Sequence, residues 1–397
     1  MANRDNHFQS AFGSYTLECY PLEKNTQLRA WNAADELALS HLKEQLDTST
    51  ELSQRLNDTS SKILTINDHN GALSIPIASS LAELATPGKV HCWADSTLAK
   101  SALQHNASIN TIAEAVSPTF IASTSPLDGP YDVVLLQTPK TLSLLEYQLR
   151  ELRPHLHSNS LVIACGMVKH LHHSYTERFE QLIGPTHTSL AKKKARLILP
   201  TFDPSLDLPE KPPVTQYSLE QWPITLTNLS NVFAQNKLDI GTRFFLSHLG
   251  AEQQHISTIF DLGCGNGALG IAASQLNKEA KIHFYDVSYL AVSSAQHSCA
   301  DNNIENETRF HAMDCLSEEN AKADLILCNP PFHQSNTVGT QIAFRMFSQA
   351  KQHLTEQGEL RIVGNRHLNY HIMLKKLFQH VSVLDSNKKF VVYLAKD

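Results

Sequence analysis

The stretch Asp261-Leu262-Gly263-Cys264-Gly265-Asn266-Gly267 constrains the fold of this chain more than any other. An apolar run, Ile256 to Phe260, leads into it, and an alanine-rich segment, Ala268 to Leu276, leaves it. Three glycines in five positions let a backbone reverse tightly where a Cβ would clash. Between an apolar run and a helical pattern, such a turn is a strand-to-helix junction. A parallel sheet with crossover helices follows from that. The rest of the C-terminal half keeps the rhythm. Lys281 to Asp286 reads as a second strand and Tyr289 to Cys299 as its helix. Thr308 to His311 comes next, then the apolar run Ala323 to Cys328. Gly358 to Val363 and Phe390 to Leu394 supply later strands, separated by a helix from Tyr370 to Phe378. The expected architecture is a doubly wound α/β sheet, with ligands beyond the carboxyl ends of its strands.

A glycine turn alone is weak evidence, because dinucleotide sites use GxGxxG for pyrophosphate. Here the pattern is GxGxG with Asp261 two residues ahead. S-adenosylmethionine carries no phosphate but has a sulfonium and a charged amino group, which suit a carboxylate. Asp286 ends the second strand, where an acid accepts hydrogen bonds from ribose hydroxyls. Asp314 falls after the third strand, placed for the adenine amine. Asp261, Gly263, Gly265, Asp286 and Asp314 are therefore the expected cofactor residues.

The fourth strand runs straight into Asn329-Pro330-Pro331-Phe332. An exocyclic amine is a poor nucleophile because its lone pair is delocalised into the ring. What it needs is positioning, and acceptors that draw its hydrogens toward tetrahedral geometry. The Asn329 side-chain oxygen and the Pro330 carbonyl are the expected acceptors, and Asn329 also borders the cofactor. Consecutive prolines hold the segment extended and remove competing donors. Phe332 is expected to stack on the base. A base inside a duplex cannot reach such a pocket, so the target must be unpaired or flipped out. Glycine turn and NPPF together imply methyl transfer to a planar nitrogen.

Composition narrows the setting. At 397 residues the chain is expected to hold two domains of about 200 residues each. Hydrophobic content of 42% and charged content of 18% are ordinary for a globular protein. No apolar run approaches a bilayer span, and MANRDNHFQS has no apolar signal region, so a cytoplasmic protein is expected. The 7 cysteines are scattered and never spaced CxxC, which argues for reduced thiols. The 21 histidines show no HxxxH or HxH arrangement with carboxylate support, so no metal is expected. A net charge of −6 makes no global case for nucleic acid, and any RNA contact must rest on local patches. The clearest patch is Lys192-Lys193-Lys194-Ala195-Arg196.

The N-terminal half repeats the strand rhythm in weaker form, at Lys62 to Asp68, Val90 to Asp95, Tyr131 to Lys140 and Ser160 to Ala164. Thr138-Pro139-Lys140 stands where NPPF is expected, and no GxGxG follows the first strand. This reads as an internal duplication whose first copy has lost its chemistry. The first 55 or so residues read as mostly helical and polar. Residues 206–224, rich in proline, read as a semi-rigid connector between a domain at 1–205 and another at 225–397.

DLGCGNGALG, CNPPFHQ and GNRHLNY resemble the bacterial ribosomal RNA guanine-N2 methyltransferases that carry NPPFH. The segment Asn231 to Phe245 and the end Asn387 to Val392 are similar to the large-subunit (23S) G subgroup. The resemblance implies two tandem Rossmann-like class I methyltransferase domains, the N-terminal copy degenerate and recognising RNA. It assigns Asp261, Gly263, Gly265, Asp286 and Asp314 to S-adenosylmethionine, and Asn329, Pro330 and Phe332 to the guanine. It also implies that Phe233 and Asp239 to Arg243 pack over the cofactor pocket. Ala234-Gln235-Asn236-Lys237 departs from the family pattern. The expected substrate is 23S rRNA, naked or in a large-subunit precursor, held partly by Lys192, Lys193 and Arg196 of a monomer. Alternatives are a 16S rRNA guanine-N2 enzyme, an adenine-N6 or protein-glutamine methyltransferase, and a non-catalytic RNA-binding assembly factor. Phe332 followed by His333 weighs against the adenine and glutamine classes, which more often use tyrosine.

Overall fold

The computed structural model describes residues 6–22, 28–84, 88–212, 214–250, 256–331 and 337–397. The chain divides into two compact units, Met1–Pro212 and Pro213–Asp397.

The first unit opens with an antiparallel hairpin, β1 (His7–Ser10) and β2 (Gly13–Thr16). This differs from the helical expectation for the first residues. Phe8 and Tyr15 face each other across the ladder and are buried, while their neighbours point outward. The alternation spans only four residues a side, too short to stand out in the sequence. Helices α1 (Ala33–Thr48) and α2 (Thr50–Leu56) follow. A capping box starts α1: the Asn32 side chain accepts from Ala34 N, and Asp35 reaches back to Asn32 N. The sheet contains β3 (Lys62–Ile66), β4 (Lys89–Ala94), β5 (Thr119–Ala122), β6 (Val133–Gln137), β7 (Leu161–Met167), β8 (Thr186–Thr188) and β9 (Ala195–Pro200). Its order is β5-β4-β3-β6-β7-β9-β8. Helices α3 (Ser74–Leu81), α4 (Thr97–Ile109), α5 (Leu142–Leu152) and α6 (His173–Leu182) connect the strands.

The second unit begins with the hairpin β10 (Thr215–Ser218) and β11 (Thr225–Asn228). Part of the proline-rich stretch thus enters regular structure. Helix α7 (Ile240–Leu246) precedes a second seven-stranded sheet. Its members are β12 (Thr258–Leu262), β13 (Lys281–Asp286), β14 (Thr308–Ala312), β15 (Ala323–Cys328), β16 (Leu354–Asn365), β17 (His380–Ser386) and β18 (Phe390–Lys396). Helices α8 (Ala268–Leu276), α9 (Tyr289–Asp301), α10 (Thr337–His353) and α11 (Tyr370–Leu377) lie between them. The order β14-β13-β12-β15-β16-β18-β17 repeats that of the first sheet. In both, five neighbouring strands run parallel, the next (β9, β18) is antiparallel to them, and the edge strand (β8, β17) is antiparallel to that one and so runs with the five.

Each sheet is covered on both faces, which is why its strands read as continuous apolar runs. On β15, Leu325 and Leu327 join one core while Ile326 and Cys328 join the other. Phe284 of β13 is fully buried, and truncating such a side chain costs about 3–5 kcal/mol. The crossovers leave β12 toward β13 on one side and return to β15 on the other. The strand order therefore reverses between β12 and β15, the place where such sheets bind ligands.

Candidate active site

Strands β12 and β15 are hydrogen-bonded neighbours, with Leu262 paired to Cys328. The next residues along are Gly263 and Asn329. Two motifs distant in sequence are thereby brought to adjacent strand ends. A Cβ on Gly263 would lie 3.9 Å from the Asn329 carbonyl oxygen and 3.2 Å from Met346 Cε.

Gly263, Gly265 and Gly267 have φ of +78°, +53° and +85°, a region that favours glycine. The amides of Gly263 and Cys264 both donate to the Tyr285 carbonyl, at 2.8 and 2.9 Å, which folds the turn back over β13. A Cβ on Gly265 would meet nothing within 4 Å, so open space lies beside the turn there.

Asp261 is buried in β12, and its Oδ2 accepts the Gly270 amide at 2.8 Å. Its Oδ1 is buried with no hydrogen-bond partner among the described residues. Burial pushes this carboxyl up to about 7. An orphaned acceptor beside a glycine turn fits the charged amino group of S-adenosylmethionine. Asp286 ends β13, next to β12. Its Oδ2 accepts Gly265 N and its Oδ1 accepts Ser288 N, each at 3.0 Å, so it also braces the turn. Asp314 follows β14, and its Oδ1 accepts from Arg345 Nη2 at 3.0 Å. The ion pair with Arg345 was not foreseen. The three acids thus lie at the carboxyl ends of three adjacent strands.

At the acceptor end, Asn329 Nδ2 donates to Thr242 Oγ1 at 2.8 Å. Asn329 Oδ1 is buried without a partner among the described residues. Thr242 is the third residue of α7, whose cap Asp239 accepts the Thr242 amide at 3.0 Å. The segment Asp239 to Arg243 therefore meets the acceptor motif through Thr242, a contact the sequence reading missed. Pro330 is buried beside Asn329, whereas Phe332 and His333 lie outside the described residues.

The first unit has the same scaffold with different contents. Strand register sets Thr65 at the place of Asp261 and Gln137 at that of Asn329. Asn70-Gly71-Ala72-Leu73 then stands over Asn266-Gly267-Ala268-Leu269, and Gly71 keeps a φ of +79°. Asn67 replaces Gly263 and exchanges two hydrogen bonds with Gln148, at 3.0 and 2.7 Å. It also donates to the Gln137 carbonyl at 2.8 Å. Asp68 accepts from Leu73 N, Ser74 N and Ser74 Oγ at 3.1, 2.7 and 2.6 Å. Gln137 Nε2 donates to Asp35, which occupies the same third helical position as Thr242. Burial raises the Asp35 carboxyl to about 7. Side chains fill the space that the glycine turn leaves open in the second unit.

Of the basic cluster, Lys192, Lys193 and Lys194 are exposed on the turn before β9. Lys193 pairs with Glu36 at 2.7 Å, and Arg196 is half-buried. Apart from the active site, His283, His311 and Glu319 bring ligand-type atoms within 4.8 Å of one another. They lie around Tyr285, whose hydroxyl donates to Glu319 at 2.6 Å and meets His283 Nδ1 at 3.0 Å. Two adjacent strands and the loop after β14 make that cluster, which no sequence spacing announces. No helix among the described residues is long and apolar enough to cross a membrane.

Residues 5–204 match the RLMG N-terminal domain, and residues 223–394 match the methyltransferase small domain. The chain is 42% identical over 389 residues to ribosomal RNA large subunit methyltransferase G of Pseudomonas paraeruginosa, covering 98% of this chain and 99% of that one. This chain belongs to the ribosomal RNA large subunit methyltransferase G family. The relative from Stutzerimonas stutzeri is also 42% identical, over 96% of both chains. A solved T. thermophilus 16S rRNA N2 G1207 methyltransferase, in complex with AdoMet and guanosine, aligns with a TM-score of 0.73. It shares 18% identity over 98% of this chain and 97% of that one, a likeness of fold. The chain is a methyltransferase whose cofactor is S-adenosylmethionine and whose substrate is RNA. Asp261, Gly263, Gly265 and Asp286 fit that cofactor by the orphaned oxygen and the open turn.

Proposed function

We propose that this protein methylates the exocyclic 2-amino group of a guanine in 23S rRNA. The observation that carries this reading is the buried Asn329 Oδ1, without a partner among the described residues, one strand from the glycine turn. The relatives' name, large subunit methyltransferase G, supports the choice of RNA.

S-adenosylmethionine, when bound, supplies a methyl group already activated by its sulfonium. The protein's task is then to orient the amine. Asn329 Oδ1 accepts one amine hydrogen and the Pro330 carbonyl the other, so that the nitrogen lone pair turns out of the ring plane as positive charge develops. Both acceptors are strongest in a site that excludes water, where the local dielectric is low. Phe332 stacks on the flipped base. Asp261 holds the amino group of the cofactor, Asp286 its ribose and Asp314 its adenine. Residues 1–205 recognise RNA, with Lys192, Lys193 and Arg196 contacting phosphate, and 225–397 carry the chemistry. The protein acts as a cytoplasmic monomer on naked 23S rRNA or a large-subunit precursor.

The test is incubation with labelled S-adenosylmethionine and naked 23S rRNA, assembled 50S subunits, 16S rRNA or DNA, followed by nucleoside analysis. Label is expected in 2-methylguanosine from 23S rRNA. Label in another nucleoside or nucleic acid overturns the reading.

A further inference from the structure

We propose that Thr242 is a positioning residue that fixes the Asn329 amide with its oxygen toward the substrate amine. The inference rests on the reading of Asn329 as the acceptor. An asparagine side chain presents either face with little change in shape, so something must decide which end enters the pocket. If the nitrogen entered, two donors would oppose the two hydrogens of the guanine amine.

The decision is made by the Thr242 hydroxyl. Its oxygen lies 3.5 Å from Asp239 Oδ2, which also holds the Thr242 amide at 3.0 Å. A carboxylate only accepts, so its charge draws the single hydroxyl proton toward Asp239 across this long contact. The lone pairs of Thr242 Oγ1 are left for Asn329, and Nδ2 donates to them at 2.8 Å. Asn329 Oδ1 then faces the other way, buried and without a partner among the described residues. Thr242 is 7% exposed, which shields its hydroxyl from competing water.

The first unit supplies an independent instance. There the residue at the third helical position is Asp35, which can only accept when ionised, and it takes the amide nitrogen of Gln137. Both copies orient the strand-end amide in the same sense, one with a carboxylate and one with a hydroxyl. The hydroxyl leaves the second unit's acceptor site without an additional negative charge beside the cofactor.

Thr242→Val keeps the shape and removes the hydroxyl, while Thr242→Ser restores it. Thr242→Val is expected to lower kcat about tenfold, the size of one lost hydrogen bond, with the Kd for S-adenosylmethionine unchanged. Thr242→Ser should recover most of that loss. In an Asn329→Ala background, Thr242→Val should cost nothing further, because the group it orients is gone. Thermal unfolding of each variant separates a folding defect from a kinetic one. Full activity in Thr242→Val, or an additive loss in the double variant, overturns the positioning role. Full activity in Asn329→Ala overturns instead the acceptor reading on which it rests.

Discussion

The ends of β3 and β6 and the ends of β12 and β15 share backbone, register and even the tetrapeptide Asn-Gly-Ala-Leu, yet one is filled and the other open. The difference lies in a few side chains. Gly263 is Asn67 in the first unit, Asp261 is Thr65, and Asn329 is Gln137. Each replacement finds a partner inside the protein: Asn67 with Gln148, Thr65 with Ser74 at 2.7 Å, Gln137 with Asp35. In the second unit, Asp261 Oδ1 and Asn329 Oδ1 are without partners among the described residues. An acceptor buried without a partner costs roughly 1–3 kcal/mol. In the proposed function those two acceptors take the donors of a ligand.

The largest test of this contrast is Asn329→Ala against Gln137→Ala. The first should lower transfer about 10²- to 10³-fold while cofactor binding, followed by calorimetry, survives. The second should leave transfer intact. Loss of cofactor binding in Asn329→Ala would mean that its role is misplaced.

Next comes Asp261→Asn against Thr65→Val. Losing a charge-assisted contact should weaken S-adenosylmethionine binding about 10- to 100-fold, whereas Thr65→Val should not change it. The Asp261 carboxyl is held near 7, above its ordinary 3.8, so its contribution to stability falls as pH rises from 3.8 through about 7. Over the same range it becomes the anion that attracts the cofactor. Affinity measured by titration should therefore climb through pH 7 in the parent protein and stay flat in Asp261→Asn. A flat profile in both would break the assignment.

Asp68→Ala should act on stability alone. Removing the carboxylate strands Leu73 N and Ser74 N, at about 1–3 kcal/mol, seen as a lower Tm with unchanged cofactor affinity. The smallest effect is electrostatic. Lys192→Ala and Arg196→Ala should each reduce the slope of log affinity for RNA against log salt by about 0.7–0.9. An unchanged slope would move the RNA contact elsewhere.

The sheets were legible because parallel strands buried on both faces are apolar throughout. Lys281 to Asp286 and Ala323 to Cys328 coincide with β13 and β15 residue for residue. The glycine turn and NPPF were legible for the same reason: each must follow a strand. What escaped depends on pairings that only the folded chain makes. Gln137 meets Asp35 across 102 positions and Asn329 meets Thr242 across 87, and neither spacing has a periodicity to read. One signal was available. The repeat of Asn-Gly-Ala-Leu at 70–73 and 266–269 marks the lost turn of the first unit.

The Asn67 and Gln148 pair has a consequence for how this chain can change with time. Two amides that exchange both hydrogen bonds leave each other satisfied, so reverting Asn67 to glycine would strand Gln148 in the core and free the Gln137 carbonyl as well. A step toward an open cleft at Asn67 passes through a less stable protein. The filled site therefore behaves as a ratchet.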